Sequence, residues 1–188
     1  MSTTSAYTSL EIKRKATANL GMMATKIRFD AVQLPDRRQA SMDFLDSSFF
    51  QDHESGKSLP TPAEVRALNS NSTANKLFDH LNLLVKYGPS ITISEAQSLW
   101  MVNKLPRERV PVPEIYDWRV DGRDVFIYTE LIHLETLKHR REFLSIEDKT
   151  AVCDQLHQMI GTLREVEQNP QNQFIGKIGK KSPPGKAN

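Results

Sequence analysis

The 188-residue sequence predicts an α+β fold in which a small antiparallel sheet carries one helix on its face. Short apolar runs bounded by turn residues predict three strands between residues 81 and 131. Two of these runs flank Asp121-Gly122, a residue pair typical of a tight hairpin. Apolar residues at helical spacing follow the first run and recur from Ile146 to Gln168. The predicted order is therefore strand, helix, strand, strand and long helix, without internal repeats.

The first 43 residues lack sustained periodicity and predict a disordered basic arm. The first forty residues hold seven Lys and Arg residues against three acidic ones. The segment "FLDSSFF", Phe44 to Phe50, is a short apolar patch that we expect to pack against the domain. In the linker that follows, Thr61 is expected to cap a short helix starting at Pro62, because proline suits the first helical position.

The first predicted strand spans Leu81–Tyr87, and Gly88-Pro89 should turn the chain. Ser94 is the predicted N-cap of the next helix. The apolar residues that this helix should bury are Ala96, Leu99, Trp100 and Val102.

The predicted hairpin joins a strand at Ile115–Val120 to the run "DVFIYTEL", which starts at Asp124. Ser145 and Asp148 then form a capping-box pattern at the start of the long helix. Asn169-Pro170 should end this helix at Gln168. Its apolar stripe consists of Ile146, Val152, Leu156, Met159 or Ile160, Leu163 and Val166.

The composition narrows the class of protein. A net charge of +2 gives no support to a nucleic-acid or membrane partner. Cys153 is the single cysteine, so no intramolecular disulfide can form. No stretch approaches the ~20 apolar residues of a membrane span, and the N-terminus lacks the apolar core of a signal peptide. We therefore expect a cytoplasmic protein. Residues 180–188 are separately expected to form a disordered, solvated tail.

One lysine, Lys86, interrupts the first apolar strand, and the next helix opens with a glutamate, Glu95. Desolvating an unpaired ammonium costs several kcal/mol. Lys86 could avoid this cost by pointing to water from the wet face of an antiparallel sheet. Alternatively, it could hold nucleotide phosphates while Glu95 fixes its position, as in kinases. The pattern alone leaves both interpretations open.

Four blocks of sequence carry a family resemblance. They are "LPTPAEVRAL", "LNLLVKYGPSITISEAQSLW", "VPVPEIYDWRVDGRDVFIYTELI" and "FLSIEDKTAVCDQLHQMIGTLREVEQNPQNQFIGKIG". In this order and spacing they resemble the fungal members of the aminoglycoside phosphotransferase family, from Phe44 to Gly179. The resemblance implies a truncated domain at residues 44–179, comprising a protein-kinase-like small lobe, the hinge and the first long helix of the large lobe.

The resemblance also implies a nucleotide site and the transfer of phosphate from ATP to a small hydroxylated molecule. Lys86 matches the lysine that binds nucleotide phosphates, and Glu95 matches its helix partner. Thr129 matches the gatekeeper of the hinge. The backbone carbonyl of Glu130 and the backbone amide of Ile132 would contact the adenine edge. The family also uses Mg²⁺.

The sequence departs from the family at the residues that perform the chemistry. The family's catalytic loop, H-G-D-x-x-x-x-N, and its I-D-W-E-like metal-binding segment have no counterpart in the chain. Leu134 stands where the family usually has glycine after the hinge, and Arg141 where it tends to have tryptophan. We therefore expect neither catalytic residues nor Mg²⁺ ligands in this chain, and no catalysis by the chain alone.

Two other interpretations remain open. A large-lobe helix without its usual cover would expose its apolar stripe, so the chain could be a non-catalytic, pseudokinase-like interaction module. Such a module would self-associate through residues 146–168. The abrupt change to "KKSPPGKAN" is also typical of a truncated gene-model fragment. A metal cluster is not expected from the remaining candidate ligands, His133, His139, His157 and Cys153, because they lack the spacing of a zinc site.

Overall fold

The computed structural model describes residues 27–30, 33–52, 56–68, 75–105 and 109–172. The strands are β1 (Ile27–Phe29), β2 (Ser41–Asp43), β3 (Asn75–Phe78), β4 (Leu83–Gly88), β5 (Ile115–Asp121), β6 (Asp124–Glu130) and β7 (Val166–Gln168). The α-helices are α1 (Ser48–Gln51), α2 (Pro62–Ala67), α3 (Ile93–Asn103), α4 (Leu137–Arg140) and α5 (Ile146–Arg164). Short 3₁₀ turns occupy Asp79–Leu81 and Pro170–Asn172.

Five strands form an antiparallel sheet in the order β2-β5-β6-β4-β3. The predicted hairpin is present, with Asp121 opposite Asp124. Gly122 occupies the turn with φ of +64°, a conformation that glycine adopts without a steric penalty. Together with α3, this sheet confirms the α+β class.

The sheet buries an apolar cluster on each face. Leu83 and Val85 of β4 point to the first cluster, where Phe126 and Tyr128 join them from β6. The residues between them point to the opposite face, because side chains alternate along a strand. That face lies under α3, and the buried members of its cluster are Phe44, Ile91, Ala96, Ile115, Trp118 and Ile127.

The "FLDSSFF" patch packs against both faces, as its apolar character predicts. The ring of Phe44 lies edge-on to Trp118, with centroids 5.5 Å apart, in the cluster under α3. Phe49 contacts Tyr116 at 5.2 Å in the other cluster. The segment Phe44–Phe50 therefore contributes to the clusters on both faces of the sheet.

Two predicted helix starts are confirmed. Thr61 and Glu64 form a capping box in front of α2, with Pro62 in the first turn. Ser145 and Asp148 form a second capping box in front of α5. In each case the hydroxyl accepts from a backbone N–H that the helix leaves without a partner.

Helix α3 differs from its prediction at the cap and in its burial. It begins at Ile93, so the N-cap is Thr92 rather than Ser94. The turn after β4 brings the chain into helical geometry early, since the Glu95 amide already donates to the Thr92 carbonyl at 2.9 Å. Ala96 is buried as predicted, whereas the other predicted core residues, Leu99, Trp100 and Val102, are only partly buried.

Helix α5 ends at Arg164, four residues before the predicted end at Gln168. Residues 166–168 form β7 instead, which pairs in parallel with β1. The Asn169 amide donates to the Phe29 carbonyl at 2.9 Å, so backbone partners from a distant segment replace the helical ones. Val166 therefore does not belong to the apolar stripe of the helix.

Two strands lie within the segment that was expected to form the basic arm. β1 pairs with β7, and β2 is hydrogen-bonded to β5 at the edge of the main sheet. The regular structure therefore starts before residue 44, because backbone pairing needs no apolar periodicity. Residues 1–26 of the arm and the tail at 180–188 lie outside the described residues. No helix in the described part of the chain has both the length and the apolar character needed to span a membrane.

Candidate functional site

The structure joins Lys86 and Glu95, the two residues that the sequence singles out. The Lys86 ammonium donates to a carboxylate oxygen of Glu95 and forms a salt bridge with it. The side chains remain 39% and 45% exposed, respectively. The ammonium is therefore paired and still accessible to an anion from solvent.

The connection between β4 and α3 brings this pair together. Only nine positions separate Lys86 from Glu95. Within them, Gly88 adopts φ of +142° and its carbonyl accepts from the Ile91 amide at 3.2 Å. A residue with a Cβ would be strained at this φ. The turn brings the first turn of α3 within hydrogen-bond distance of the lysine.

Lys86 points to the face of the sheet that α3 covers. Its cross-strand partner on β6 is Ile127, a member of the cluster under α3. The next pair on this face toward the end of β6 is Leu84 opposite Thr129. The sequence prediction omitted Leu84 and Ile127, although the period of two along each strand places Leu84 on the face of Lys86 and Ile127 on the face of Thr129.

Thr129 lies two residues from the cross-strand partner of Lys86, about 7 Å along β6. It is buried, and its hydroxyl lies 3.5 Å from the Leu84 carbonyl. The predicted gatekeeper and the predicted phosphate-binding lysine therefore lie on the same face of neighbouring strands.

Hydrogen bonds fix Glu130, the last residue of β6, and the segment after it, which includes Ile132. The Glu130 amide donates to the Glu114 carbonyl at 2.8 Å, and the Leu131 amide donates to the Asn82 carbonyl at 3.0 Å. The ring of His133 lies 2.9 Å from the Asn82 side-chain oxygen. Asn82 thus holds this segment at the end of β4 that lies away from the Gly88 turn.

The described residues contain no group of three or more His, Cys, Asp or Glu side chains that could hold a metal ion. His133 contacts Asn82, and Cys153 is exposed on α5. Asp117 is buried within β5, and its carboxylate accepts from the Arg119 guanidinium at 2.7 Å. These described side chains therefore do not form a site that fits Mg²⁺.

Asp117 has the most strongly perturbed environment among the described carboxyls. Burial raises the pKa of Asp117 to about 7. The carboxyl of Asp43 on β2 also raises this pKa, whereas the Arg119 guanidinium lowers it. Asp43 is the cross-strand neighbour of Asp117. A β-bulge between Ile115 and Asp117 places Asp117 opposite Tyr128, on the face of the sheet that carries Tyr128, and the sequence pattern did not indicate this bulge.

Comparison of the chain with family models, with curated proteins and with solved structures gave no match. What the site can do is therefore inferred from its own geometry.

Proposed function

We propose that the chain binds ATP as the small lobe and hinge of an aminoglycoside-phosphotransferase-like, kinase-like protein. The observation that carries this proposal is the ion pair between Lys86 on a central strand and Glu95 in the first turn of the covering helix. In protein kinases, a strand lysine held by a helix glutamate binds nucleotide phosphates.

The topology supports the proposal. Strand β4, which carries Lys86, lies directly beside β6, and β6 leads into the segment proposed as the hinge. A nucleotide lying along this face would extend its phosphates toward Lys86 and its base toward the end of β6. Thr129 would lie between these two ends.

Each proposed contact has a separate physical role. The Lys86 ammonium would neutralise phosphate oxygens, and the Glu95 carboxylate would hold that ammonium before the nucleotide arrives. Such preorganisation avoids the cost of ordering the side chain on binding. The backbone carbonyl of Glu130 and the backbone amide of Ile132 would supply the polar edge that recognises adenine. No catalytic base is assigned, and transfer to a small hydroxylated acceptor is proposed only for the complete phosphotransferase.

Thermal unfolding with and without ATP tests this proposal. A ligand at a hundred times its dissociation constant stabilises a folded protein by ~2.7 kcal/mol. We expect ATP to raise the unfolding temperature of the wild-type chain, and we expect this shift to disappear in Lys86→Met. The exposed Lys149 on α5 provides the matched control, because Lys149→Met removes the same charge at a distance from the pair. An ATP shift that survives in Lys86→Met would overturn the proposal.

A second candidate function, a non-catalytic interaction module, is favoured by the surface of α5. Leu156, Ile160 and Leu163 are each at least 39% exposed, and with Cys153 they follow the three-and-four spacing of a helix-packing seam. The first turn of α5 holds Glu147 and Asp148, and its last turn holds Arg164.

We propose a second copy of this chain as the partner of α5 in that module. Antiparallel pairing would place the acidic first turn of one copy against Arg164 of the other. The same arrangement would cover the apolar seams of both copies. Self-association does not require the nucleotide site, so either proposal can fail without the other.

A further inference from the structure

Two carboxyl groups face each other across the junction of β2 and β5. Asp43 on β2 lies directly opposite Asp117 on β5. Residues in this relation point to the same face of an antiparallel pair, and like charges there are destabilising. Asp117 is completely buried, whereas Asp43 is exposed. The pair is therefore stable only if something removes the repulsion between the two carboxylates.

The two oxygens of the Asp117 carboxyl have different surroundings. Oδ2 accepts from the Arg119 guanidinium at 2.7 Å. Oδ1 is buried and has no hydrogen-bond donor among the described residues. A buried carboxylate oxygen without a donor is costly, whereas a protonated oxygen is itself a donor. Oδ1 is therefore the atom on which a proton is expected.

The other titratable groups near Asp117 leave this proton with the two aspartates. The hydroxyl of Tyr128 on β6 donates to a backbone carbonyl at 3.0 Å, and burial raises its pKa, so it stays neutral. Glu64 on α2 acts on Tyr128 and carries no positive charge. The pKa of Asp117 is raised to about 7, mainly by burial and also by its charge interaction and hydrogen bond with the Asp43 carboxyl, while Arg119 lowers it.

Strand β2 is the element that this pair can release. It has three residues, lies at the edge of the five-stranded sheet and pairs with β5 there. The Val120 amide donates to the Ala40 carbonyl at 2.7 Å on one side of β2, and the Phe44 amide donates to the Tyr116 carbonyl at 2.9 Å on the other. Few backbone hydrogen bonds therefore oppose its detachment.

The segment before β2 contacts both β5 and α3. The Trp118 indole donates to the Gln39 carbonyl at 3.2 Å, and the Gln97 side chain donates to the Pro35 carbonyl at 2.8 Å. Detachment of β2 would therefore loosen a segment that also contacts the helix over the sheet.

We propose that Asp43 and Asp117 share one proton and form a pH-sensitive latch that holds β2 against β5. With the proton present, Oδ1 of Asp117 donates to the Asp43 carboxylate, and Oδ2 still accepts from Arg119. When the proton leaves to solvent, two negative charges face each other, and detachment of β2 lets water reach the Asp117 carboxylate. The latch depends on neither the ATP proposal nor self-association.

Amide hydrogen exchange of the full chain, followed by NMR, measures the opening of this latch. The probes are the Phe44 and Val120 amides, which bond across the β2–β5 junction, and the Glu130 amide, which bonds to the Glu114 carbonyl. Exchange is expressed as protection factors, which remove the intrinsic effect of pH. Because opening releases one proton, we expect the protection of Phe44 and Val120 to fall at least about tenfold between about pH 5 and pH 7.

Urea separates local opening of β2 from global unfolding. Exchange through global unfolding depends strongly on urea, whereas release of a three-residue strand exposes little surface. We expect Phe44 and Val120 to exchange faster than Glu130, with a weaker dependence on urea. Equal protection and equal urea dependence at all three amides would overturn the latch, as would constant protection of Phe44 between about pH 5 and pH 7.

The variant Asp43→Asn tests the partner of Asp117. It removes the facing charge, and its amide can donate to the ionised Asp117 carboxylate. We expect the change in Phe44 protection with pH to be at least about twofold smaller than in the wild type. Asp154→Asn, at an exposed carboxyl on α5, removes the same charge from a different element and should retain the wild-type change. A full wild-type change in Asp43→Asn would contradict the shared proton.

Discussion

At the scale of single residues, the Asp117 carboxyl should make the stability of the fold depend on pH. Burial raises its pKa to about 7 in the folded chain, compared with about 3.9 in an unfolded one. A carboxyl that binds its proton more tightly when folded favours folding most below the unfolded pKa. This contribution is lost as the pH rises toward and through about 7.

We predict that Asp117→Asn will remove this part of the pH dependence. The free energy of unfolding of the wild type minus that of the variant should fall by up to about 4 kcal/mol between about pH 4 and pH 8. This figure follows from about 1.36 kcal/mol for each unit by which the folded and unfolded pKa values of Asp117 differ. Urea unfolding at several pH values measures this difference. Asp154→Asn, at an exposed carboxyl of α5, is the control that should retain the wild-type profile. Parallel profiles for the wild type and Asp117→Asn would refute the assignment.

Lys86 should matter little to stability, even though we propose it as the main binding residue. Both partners of its salt bridge are more than a third exposed, and exposed ion pairs contribute ~0–1 kcal/mol. We therefore predict that Lys86→Met changes the free energy of unfolding, measured in urea without nucleotide, by less than about 1 kcal/mol. A loss of several kcal/mol would instead identify Lys86 as a structural residue and weaken the binding proposal.

At the scale of secondary-structure elements, Arg66 ties α2 to the β5–β6 hairpin. Its guanidinium donates to the Asp121 side chain and carbonyl and to the Asp124 carboxylate. It also lies over the Phe126 ring, 4.9 Å from the centroid. The planar guanidinium can make these hydrogen bonds and stack on the ring at the same time. A lysine ammonium is a compact point charge and lacks this planar arrangement of donors.

We predict that Arg66→Lys will destabilise the chain by about 1 kcal/mol, because it loses the fork geometry and the stacking while keeping the charge. Hydrogen exchange should be faster at the amides of α2 and of the hairpin turn than in the wild type. The control is Arg38→Lys, which affects only an exposed pair with Asp36. Unchanged exchange in α2 would show that the apolar contacts of Val65 alone hold the helix.

At the scale of the whole molecule, the exposed apolar residues are concentrated in the second half of the described chain. Those beyond residue 131 are Ile132, Leu134, Leu137, Phe143, Ile146, Leu156, Ile160 and Leu163. An exposed apolar surface of this kind usually marks an interaction site. On α5 this surface has the spacing and the terminal charges for antiparallel pairing with a second copy.

We predict concentration-dependent self-association, measured by sedimentation velocity. Leu156→Asp should shift the chain to the monomer, because it places a charge in the centre of the proposed seam. Gln158→Asp adds the same charge nearly opposite Leu156 on the helix and should leave association unchanged. A wild-type chain that remains monomeric over the whole concentration range would exclude the second-copy proposal.

The sequence by itself determined the features that depend on local physical chemistry. Short apolar runs and the Asp121-Gly122 turn predicted the hairpin, because strand preference and turn geometry are local properties. The capping residues Thr61 and Ser145 predicted two helix starts for the same reason. The position of Lys86 on a strand and of Glu95 in the next helix could also be predicted, since each belongs to a strongly patterned element.

Only the tertiary structure decided the features that depend on partners distant in sequence. Helix α5 ends at Arg164 because β1 supplies backbone partners to the following residues, and no local signal encodes that pairing. The bulge in β5 that buries Asp117 arises from the register with β6. The Lys86–Glu95 contact likewise required the turn at Gly88 to bring the first turn of α3 to the lysine. Distances between elements are set by packing and long-range hydrogen bonds, which a one-dimensional pattern does not contain.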